Sequence, residues 1–389
     1  MDFDVLIIGG GLVGASLAAA LKPSGLEIAL LEGQAMPNHL DNTPGNWDSR
    51  IYAITPGNAA FLEQCDAWQR MDMSRVQAVE KMRVFGDADS ELDFSAYQIG
   101  APELTFILEN RLLLDALWQG LRQQDNLTLL NPARCTGIAW HSDAAEVALE
   151  DGRTLRAKLV VGADGRDSWV RRQAGIMASP TPYRQHGVVA NFIAEKSHRG
   201  TAFQWFQPEG ILALLPLPQQ RVSMVWSVSP ERSAELVALP PEELCAQVSA
   251  ASQHTLGELK LITPAAGFPL RVLNLQHITA TRLALVGDAA HNVHPLAGQG
   301  VNLGFRDARE LARVLLDRGA QDDCGDARLL RRYERARRED ILSMQLTTDA
   351  LKHLFVNHSP VLRAVRNLGL SLTNRITPLK HLLARHALI

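Results

Sequence analysis

Cysteine is scarce: the chain of 389 residues has four, at positions 65, 135, 245 and 324, and no two of them form a CxxC pair. This spacing argues against a dithiol redox centre and against a clustered metal site, so no metal is expected, and it fits a reducing compartment. Long apolar runs are missing too. Val5 to Leu21 is uncharged for only 17 residues, is preceded by Asp2 and Asp4 rather than by Lys or Arg, and is interrupted by four glycines. It falls short of the ~20 residues of a membrane span and lacks the flanks of a signal peptide, so a cytoplasmic location is expected. Charge of either sign is not in excess. With a formal net charge of −3 and 46% apolar residues, nothing points to nucleic acid. No nucleophile–base triad is recognisable, and only one GxGxxG stretch occurs. The length allows one large domain or two interleaved ones, with ample apolar residues for a core.

The most informative stretch lies late in the chain. Arg282-Leu283-Ala284-Leu285 reads as the end of a buried strand, and Val286-Gly287-Asp288-Ala289-Ala290-His291 follows it directly. Pro295, Gly298, Gln299, Gly300, Val301, Asn302 and Gly304 then lead into a helix from about Val301 to Asp317. Glycines here remove side chains where the backbone must approach something closely. The free N–H groups at the start of the helix make a site for negative charge. Asp288, at the strand end, is placed to accept hydrogen bonds from a polyol or ribose.

A matching motif opens the chain. A strand from Phe3 to Ile8 runs into Gly9-Gly10-Gly11-Leu12-Val13-Gly14 and a helix to about Lys22, then a second strand, Glu27 to Leu31, ending in Glu32. In this dinucleotide-binding pattern Gly9 makes the tight turn and Gly11 admits a pyrophosphate to the helix N-terminus. Gly14 lets helix and strand pack closely, and the acid Glu32 binds ribose hydroxyls. A third signal is Leu159-Val160-Val161 stopping at Gly162-Ala163-Asp164-Gly165, with a helix beginning near Asp167 or Ser168. Further strands are expected at 84–85, 92–94, 127–130, 137–140 and 145–149, with helices at 56–65 and 112–121. Between Tyr183 and Arg271 the pattern turns largely to strands. Val222, Met224, Trp226 and Val228 alternate with Ser223, Val225, Ser227 and Ser229, the period of a half-exposed strand. Residues 231–255 and those beyond Leu329 read as helical. Arg331, Arg332, Arg335, Arg337 and Arg338 there read as a solvated face. Arg50, in Asp48-Ser49-Arg50-Ile51-Tyr52-Ala53-Ile54, reads equally as a surface salt-bridge partner or as a cation near a diphosphate.

Taken together, Asp48–Ile54, Glu109-Asn110, Gly162–Gly165 and Gly287–Gly304 resemble the flavin-dependent aromatic hydroxylases of the p-hydroxybenzoate hydroxylase type, and most nearly their ubiquinone-biosynthesis ring hydroxylases. The resemblance covers almost the whole chain. It implies an α/β fold, with an FAD-binding Rossmann-like domain (1–180 and 272–345, including some substrate-domain strands near 80–108). A largely antiparallel β-sheet substrate domain (181–271) is inserted in it, and a helical C-terminal region (346–389) follows. It implies that Gly9, Gly11, Gly14 and Glu32 hold the ADP half of FAD, and that Asp288 meets the ribityl–diphosphate region. Arg50 and Asn110 would lie near the flavin or its diphosphate, Asp164 would serve FAD and NAD(P)H, and the backbone from Pro295 through Gly298, Gln299, Gly300 and Val301 to Asn302 would border the isoalloxazine.

The implied reaction is reduction of FAD by NAD(P)H, addition of O2 to give a flavin C4a-hydroperoxide, and hydroxylation of a prenylated phenol. The flavin would carry the chemistry, and Tyr183, His186, His291 or His294 could assist phenol deprotonation. Alternatives left open are an FAD-dependent reductase or halogenase of the same fold, or a flavin-bound non-catalytic member of a quinone-biosynthesis assembly. Residues 351–389 hold six Lys or Arg and no Asp or Glu, so a segment of +6 sits in a chain of −3 and leaves −9 on residues 1–350. Its apolar clusters suggest either a helical cap or a basic face for anionic lipid or an acidic partner, making the protein peripheral at the inner face of the membrane.

Overall fold

The computed structural model describes residues 2–36, 45–86, 90–178, 181–292, 299–319 and 322–356; for 181–184, 299 and 345–356 it describes the backbone alone. The first strands are β1 (Asp2–Ile8), β2 (Ile28–Leu31), β3 (Ile51–Ile54), β4 (Gln77–Val79), β5 (Lys81–Phe85), β6 (Glu91–Ser95) and β7 (Thr105–Glu109). Then come β8 (Leu127–Leu130), β9 (Cys135–Trp140), β10 (Ala145–Leu149), β11 (Thr154–Gly162), β12 (Thr181–Ala194) and β13 (Thr201–Gln207). The last are β14 (Gly210–Leu217), β15 (Arg221–Val228), β16 (Leu259–Leu261), β17 (Ala266–Val272), β18 (Thr279–Ala280) and β19 (Leu283–Leu285). The helices are α1 (Leu12–Ala20), α2 (Pro56–Gln64), α3 (Ala96–Ile99), α4 (Asn110–Leu121), α5 (Trp169–Gln173), α6 (Pro230–Ala238), α7 (Pro241–Ala251), α8 (Gln299–Leu316) and α9 (Ala327–Val356).

The first sheet runs β18-β19-β11-β1-β2-β8, with β10 and β9 added antiparallel beside β11. Its centre is parallel: Leu6 lies between Val160 of β11 and Ala29 of β2, and β19 and β8 continue the direction on either side. Apolar runs such as Val5–Ile7, Ile28–Leu31 and Leu159–Val161 are buried on both faces, as parallel strands with helices on both sides require. Every parallel strand therefore ends at the same edge of the sheet. The glycine loop after β1, Glu32 after β2, Gly162–Gly165 at the end of β11 and Gly287-Asp288 after β19 share that edge, where α/β sheets hold ligands.

The second sheet, β16-β12-β15-β14-β13-β5-β6 with β17 beside β12, is antiparallel except where β5 meets β13. Strands β5 and β6 thus belong to this sheet. One face packs Val188, Phe192, Leu214, Met224 and Trp226 under Leu236 of α6 and Leu244 and Val248 of α7. Trp205 stacks on Phe85 at 5.3 Å and on Phe203 at 5.8 Å, an aromatic spine worth more than its area alone. The expectation of a half-exposed β15 does not hold: Ser223 and Ser227 are buried as well. The reason is a third sheet, β3-β7-β4, which lies near the opposite face. Val79 and Ile107 of that sheet pack with Ala202 and Leu217, and Asn191 Nδ2 donates to the Asp48 carbonyl at 2.8 Å.

The α9 arginines also differ from the reading as one solvated face. Arg331, Arg332, Arg335 and Arg338 are exposed, but Arg337 is buried, because its guanidinium meets Asp307 at 2.7 Å and Asp340 at 2.6 Å. Of the basic C-terminal segment, residues 351–356 continue α9 as backbone, and 357–389 lie outside the described residues.

The cysteines are placed as small hydrophobes. Burial pushes the thiols of Cys65, Cys135 and Cys324 up to about 12, and burial raises Cys245 too. Thiolate is the reactive form. A disulfide reagent at pH 8 is therefore expected to leave Cys65 and Cys324 unmodified in folded protein and to label all four thiols in denaturant; rapid labelling of those two in the native state would contradict this burial.

Candidate functional site

The glycine loop is shaped by what its residues cannot carry. Gly9 has φ +111°, and a Cβ there would collide with the Ala163 carbonyl, so this turn requires glycine. A Cβ on Gly14 would fall on the Gly9 carbonyl oxygen, closing helix α1 onto its own loop. Gly11 is the opposite case: a Cβ built on it meets no atom within 4 Å. Gly11 is also the N-cap of α1, with no side chain capping the helix and no acid in its first turn. The loop therefore presents free N–H groups and the positive end of a helix to open space, an anion cradle.

Glu32 sits beside it, accepting from Gly10 N–H through Oε2 and from Gln34 N–H through Oε1, each at 2.9 Å. Each oxygen keeps a lone pair for a hydroxyl. Trp118 of α4, a residue absent from the sequence expectations, donates its indole N–H to Gly10 O at 2.9 Å and fixes the loop from below.

The other loops are tied to this one by packing. Val13 of α1 sits against Gly287, whose φ is +59°, and against Gly304, where an added Cβ would lie 2.5 Å from Val13 Cγ2. Asp164 accepts from Trp169 N–H at 2.6 Å and Val170 N–H at 2.9 Å through Oδ2, capping α5. Its other oxygen, Oδ1, is buried with no protein partner, an acceptor left over beside the loop that Gly9 touches. Arg171 of α5 donates to Ala289 O at 2.8 Å, joining the Gly162–Gly165 corner to the Gly287–Ala289 turn.

The motif around Arg50 arrives from the third sheet. Asn110 donates its backbone N–H to Arg50 O at 2.9 Å, and Glu109, wholly buried, accepts from Arg75 Nε at 2.7 Å and Asp48 N–H at 2.6 Å. The exposed Arg50 guanidinium lies 5.5 Å from the centre of the Tyr52 ring. Burial pushes the Tyr52 phenol up, Arg50 draws it back, and Asp288 pushes it up again. Arg50 and Asp288, far apart in sequence, thus both act on the Tyr52 phenol through their charges. Asn302 at the start of α8 is fully buried: Oδ1 accepts from Thr55 N–H at 3.1 Å and Asn58 Nδ2 at 2.9 Å, and Nδ2 donates to Ala53 O at 2.8 Å. Its side chain locks α8 to β3 and α2, while Gly300 beside it meets no atom on the Cβ side.

The histidine candidates separate. His186 lies on the face of β12 shared with Val188 and Phe192, the one covered by α6 and α7, whereas Asn191 on the alternate face reaches Asp48. Strand alternation thus turns His186 away from the loops. His291 is 3% exposed and holds Asp307 Oδ2 through Nε2 at 2.6 Å. The same carboxylate oxygen accepts from Gly287 N–H at 2.8 Å, so His291 and Asp307 position the turn that carries Asp288. The Tyr183 side chain, the Gln299 side chain, Val293, His294, Pro295 and Gly298 lie outside the described residues.

An uncapped helix with an empty Cβ direction at Gly11, an acid for a ribose at Glu32 and an orphaned oxygen at Asp164 fit a dinucleotide laid across the sheet edge. The FAD binding domain family model matches residues 2–345. Ubiquinone hydroxylase UbiL of Rhodospirillum rubrum is 38% identical over 386 residues, spanning 99% of this chain and 89% of that protein. The 3-demethoxyubiquinol 3-hydroxylase of Escherichia coli is 34% identical over 389 residues, spanning 99% and 98%. Among solved structures, PqsL, a probable FAD-dependent monooxygenase from Pseudomonas aeruginosa, superposes with a TM-score of 0.80 at 26% identity, covering 96% of this chain and all of that one. Cradle geometry and full-length likeness agree: the chain belongs to the FAD binding domain family.

Proposed function

We propose that this protein is an FAD-dependent monooxygenase that hydroxylates the aromatic ring of a prenylated phenol intermediate in ubiquinone biosynthesis, using NAD(P)H and O2. The observation that carries the FAD reading is the convergence of the loops at Gly9–Gly14, Asp164 and Asp288 on one sheet edge around an open cradle. The ring substrate is supported by full-length likeness to ubiquinone hydroxylases. Bound FAD supplies the redox chemistry, passing two electrons from NAD(P)H to O2 so that one oxygen enters the ring and the other leaves as water.

The chain's own residues bind, orient and keep water out. Gly11 and the N-terminus of α1 receive the diphosphate, Glu32 the adenosine ribose, and Asp288 with Arg50 the span between diphosphate and ring. The N-terminus of α8, held by Asn302, places a positive helix end where negative charge develops. No side-chain base is assigned, and the alternate face of β12–β15, with Asn191 and Ser223, closes the substrate side against water.

The test is a deletion strain. A quinone precursor lacking one ring oxygen is expected to accumulate and to disappear on complementation; an unchanged quinone profile would overturn the reading. At Gly300 an added Cβ meets no atom within 4 Å among the described residues. Gly300→Val is therefore expected to keep its stability but to lower product per NAD(P)H oxidised severalfold, with peroxide making up the difference. An unchanged yield would mean that the start of α8 does not border the reacting ring.

Among the described residues no helix is long and apolar enough to cross a membrane. The basic segment 351–389 supports peripheral attachment to anionic lipid, at roughly 1 kcal/mol per cation. Changing Arg363, Arg366 and Lys380 together to Glu is expected to abolish salt-sensitive liposome binding while FAD is retained; equal binding by this variant would leave the segment a structural cap.

A further inference from the structure

A cavity of about 350 Å³ opens at the β18 edge of the parallel sheet, between the chain leading into β18, the Ala290-His291 turn and α9. None of the residues expected to hold FAD lines it. Leu275, Ile278, Ile341 and Leu342 form an apolar wall, and Asn274, Gln276, His291 and Arg338 supply polar groups. Glu334 also lines it, but its carboxylate is occupied by Ile278 N–H, Thr279 N–H and hydroxyl, and His277. Arg338, by contrast, is exposed and has no hydrogen bond or ion pair among the described residues. His291, buried to 3%, is held through Nε2 by Asp307. A free guanidinium lining an apolar hollow supplies the elements of a site for an anionic head on an aliphatic body.

We propose that this cavity binds a small aliphatic monocarboxylate, its head on Arg338 and its chain along Leu275, Ile278, Ile341 and Leu342. The volume sits at the lower end of the range for ligand pockets, about 300–1,000 Å³, which suits a chain of roughly eight carbons and excludes a whole prenylated quinone. The site is separate from the flavin cradle, yet it touches the cradle's support, since His291 shares Asp307 with Gly287 N–H.

Calorimetry on the FAD-loaded protein tests this with octanoate and 1-octanol as probes. Octanoate is expected to bind at least tenfold more tightly than octanol. Arg338→Gln is expected to remove that preference and leave octanol unchanged, and Leu342→Glu, at the exposed rim, to weaken both. FAD content and the KM for the ring substrate are expected to stay constant at saturating octanoate. Equal affinity for the two probes, undiminished octanoate binding by Arg338→Gln, or competition with the ring substrate would each overturn the proposal.

Discussion

Gly11→Trp is expected to yield a folded but colourless protein, whereas Gly14→Val is expected to yield little folded protein at all. Both lie in the same loop and remove the same kind of residue. The difference is where the new side chain goes. At Gly11 the backbone is in the extended region at φ −68°, ψ −177°, and the Cβ direction is empty to 4 Å, so the fold tolerates the side chain and the cradle is filled by it. Displacing a diphosphate from two charge-assisted hydrogen bonds, each about 1.5–3 kcal/mol, corresponds to about two to four powers of ten in affinity. At Gly14 the added methyl groups would fall on the Gly9 carbonyl, forcing α1 off β1 inside a packed core, a change expected to cost more than about 3 kcal/mol. Flavin absorbance and circular dichroism of the two variants separate the cases. A yellow Gly11→Trp protein, or a stable Gly14→Val protein, would contradict the loop geometry.

Asp307→Leu is expected to destabilise the protein by about 3–5 kcal/mol in urea unfolding, because it strands the buried cation Arg337. Asp307 is 0% exposed and accepts from His291, Gly287 N–H and Arg337. Burial alone would raise its carboxyl, but His291 and Arg337 outweigh burial and hold it below the ordinary range. A carboxyl lower in the folded than in the unfolded chain gives stability that is fully present above the unfolded value, near pH 4, and is lost as pH falls through the folded value. The parent's advantage over Asp307→Leu is therefore expected to persist at neutral pH and to shrink only below about pH 4. A deficit that disappears between pH 8 and pH 6 would assign the effect to another group. Because Gly287 loses an acceptor, the same variant is expected to hold FAD less tightly.

How much of this was legible depends on how local the signal is. The Gly9–Gly14 loop, Glu32 and the β11 and β19 corners are readable because strand, turn and helix follow within a few residues, and each glycine has a steric reason. The strands β4 and β7 were missed: Gln77–Val79 and Thr105–Glu109 are short, and their partners are distant in sequence. Ser223 and Ser227 looked solvent-facing because alternation reports one face of a sheet, not whether another layer covers the second. Asp307 did leave a sign. It falls four residues after Leu303 and four before Leu311 on α8, an acid in a row of buried apolar positions, and such a residue calls for a buried cation. That Arg337 supplies it depends on how α8 and α9 pack, which spacing along either helix does not reveal. Trp118, Arg171 and Glu109 have the same character: polar or amphipathic side chains whose partners lie on other elements.

On the proposed function, the holoprotein transfers one atom of O2 to a phenolic ring. Purified FAD-loaded protein given NAD(P)H, a short-chain prenylated phenol and isotopically heavy O2 is expected to form a product carrying one heavy oxygen on the ring, with Gly11→Trp forming none. Ring oxygen drawn from water, or NAD(P)H oxidised with peroxide as the sole oxygen product in the presence of the phenol, would contradict it.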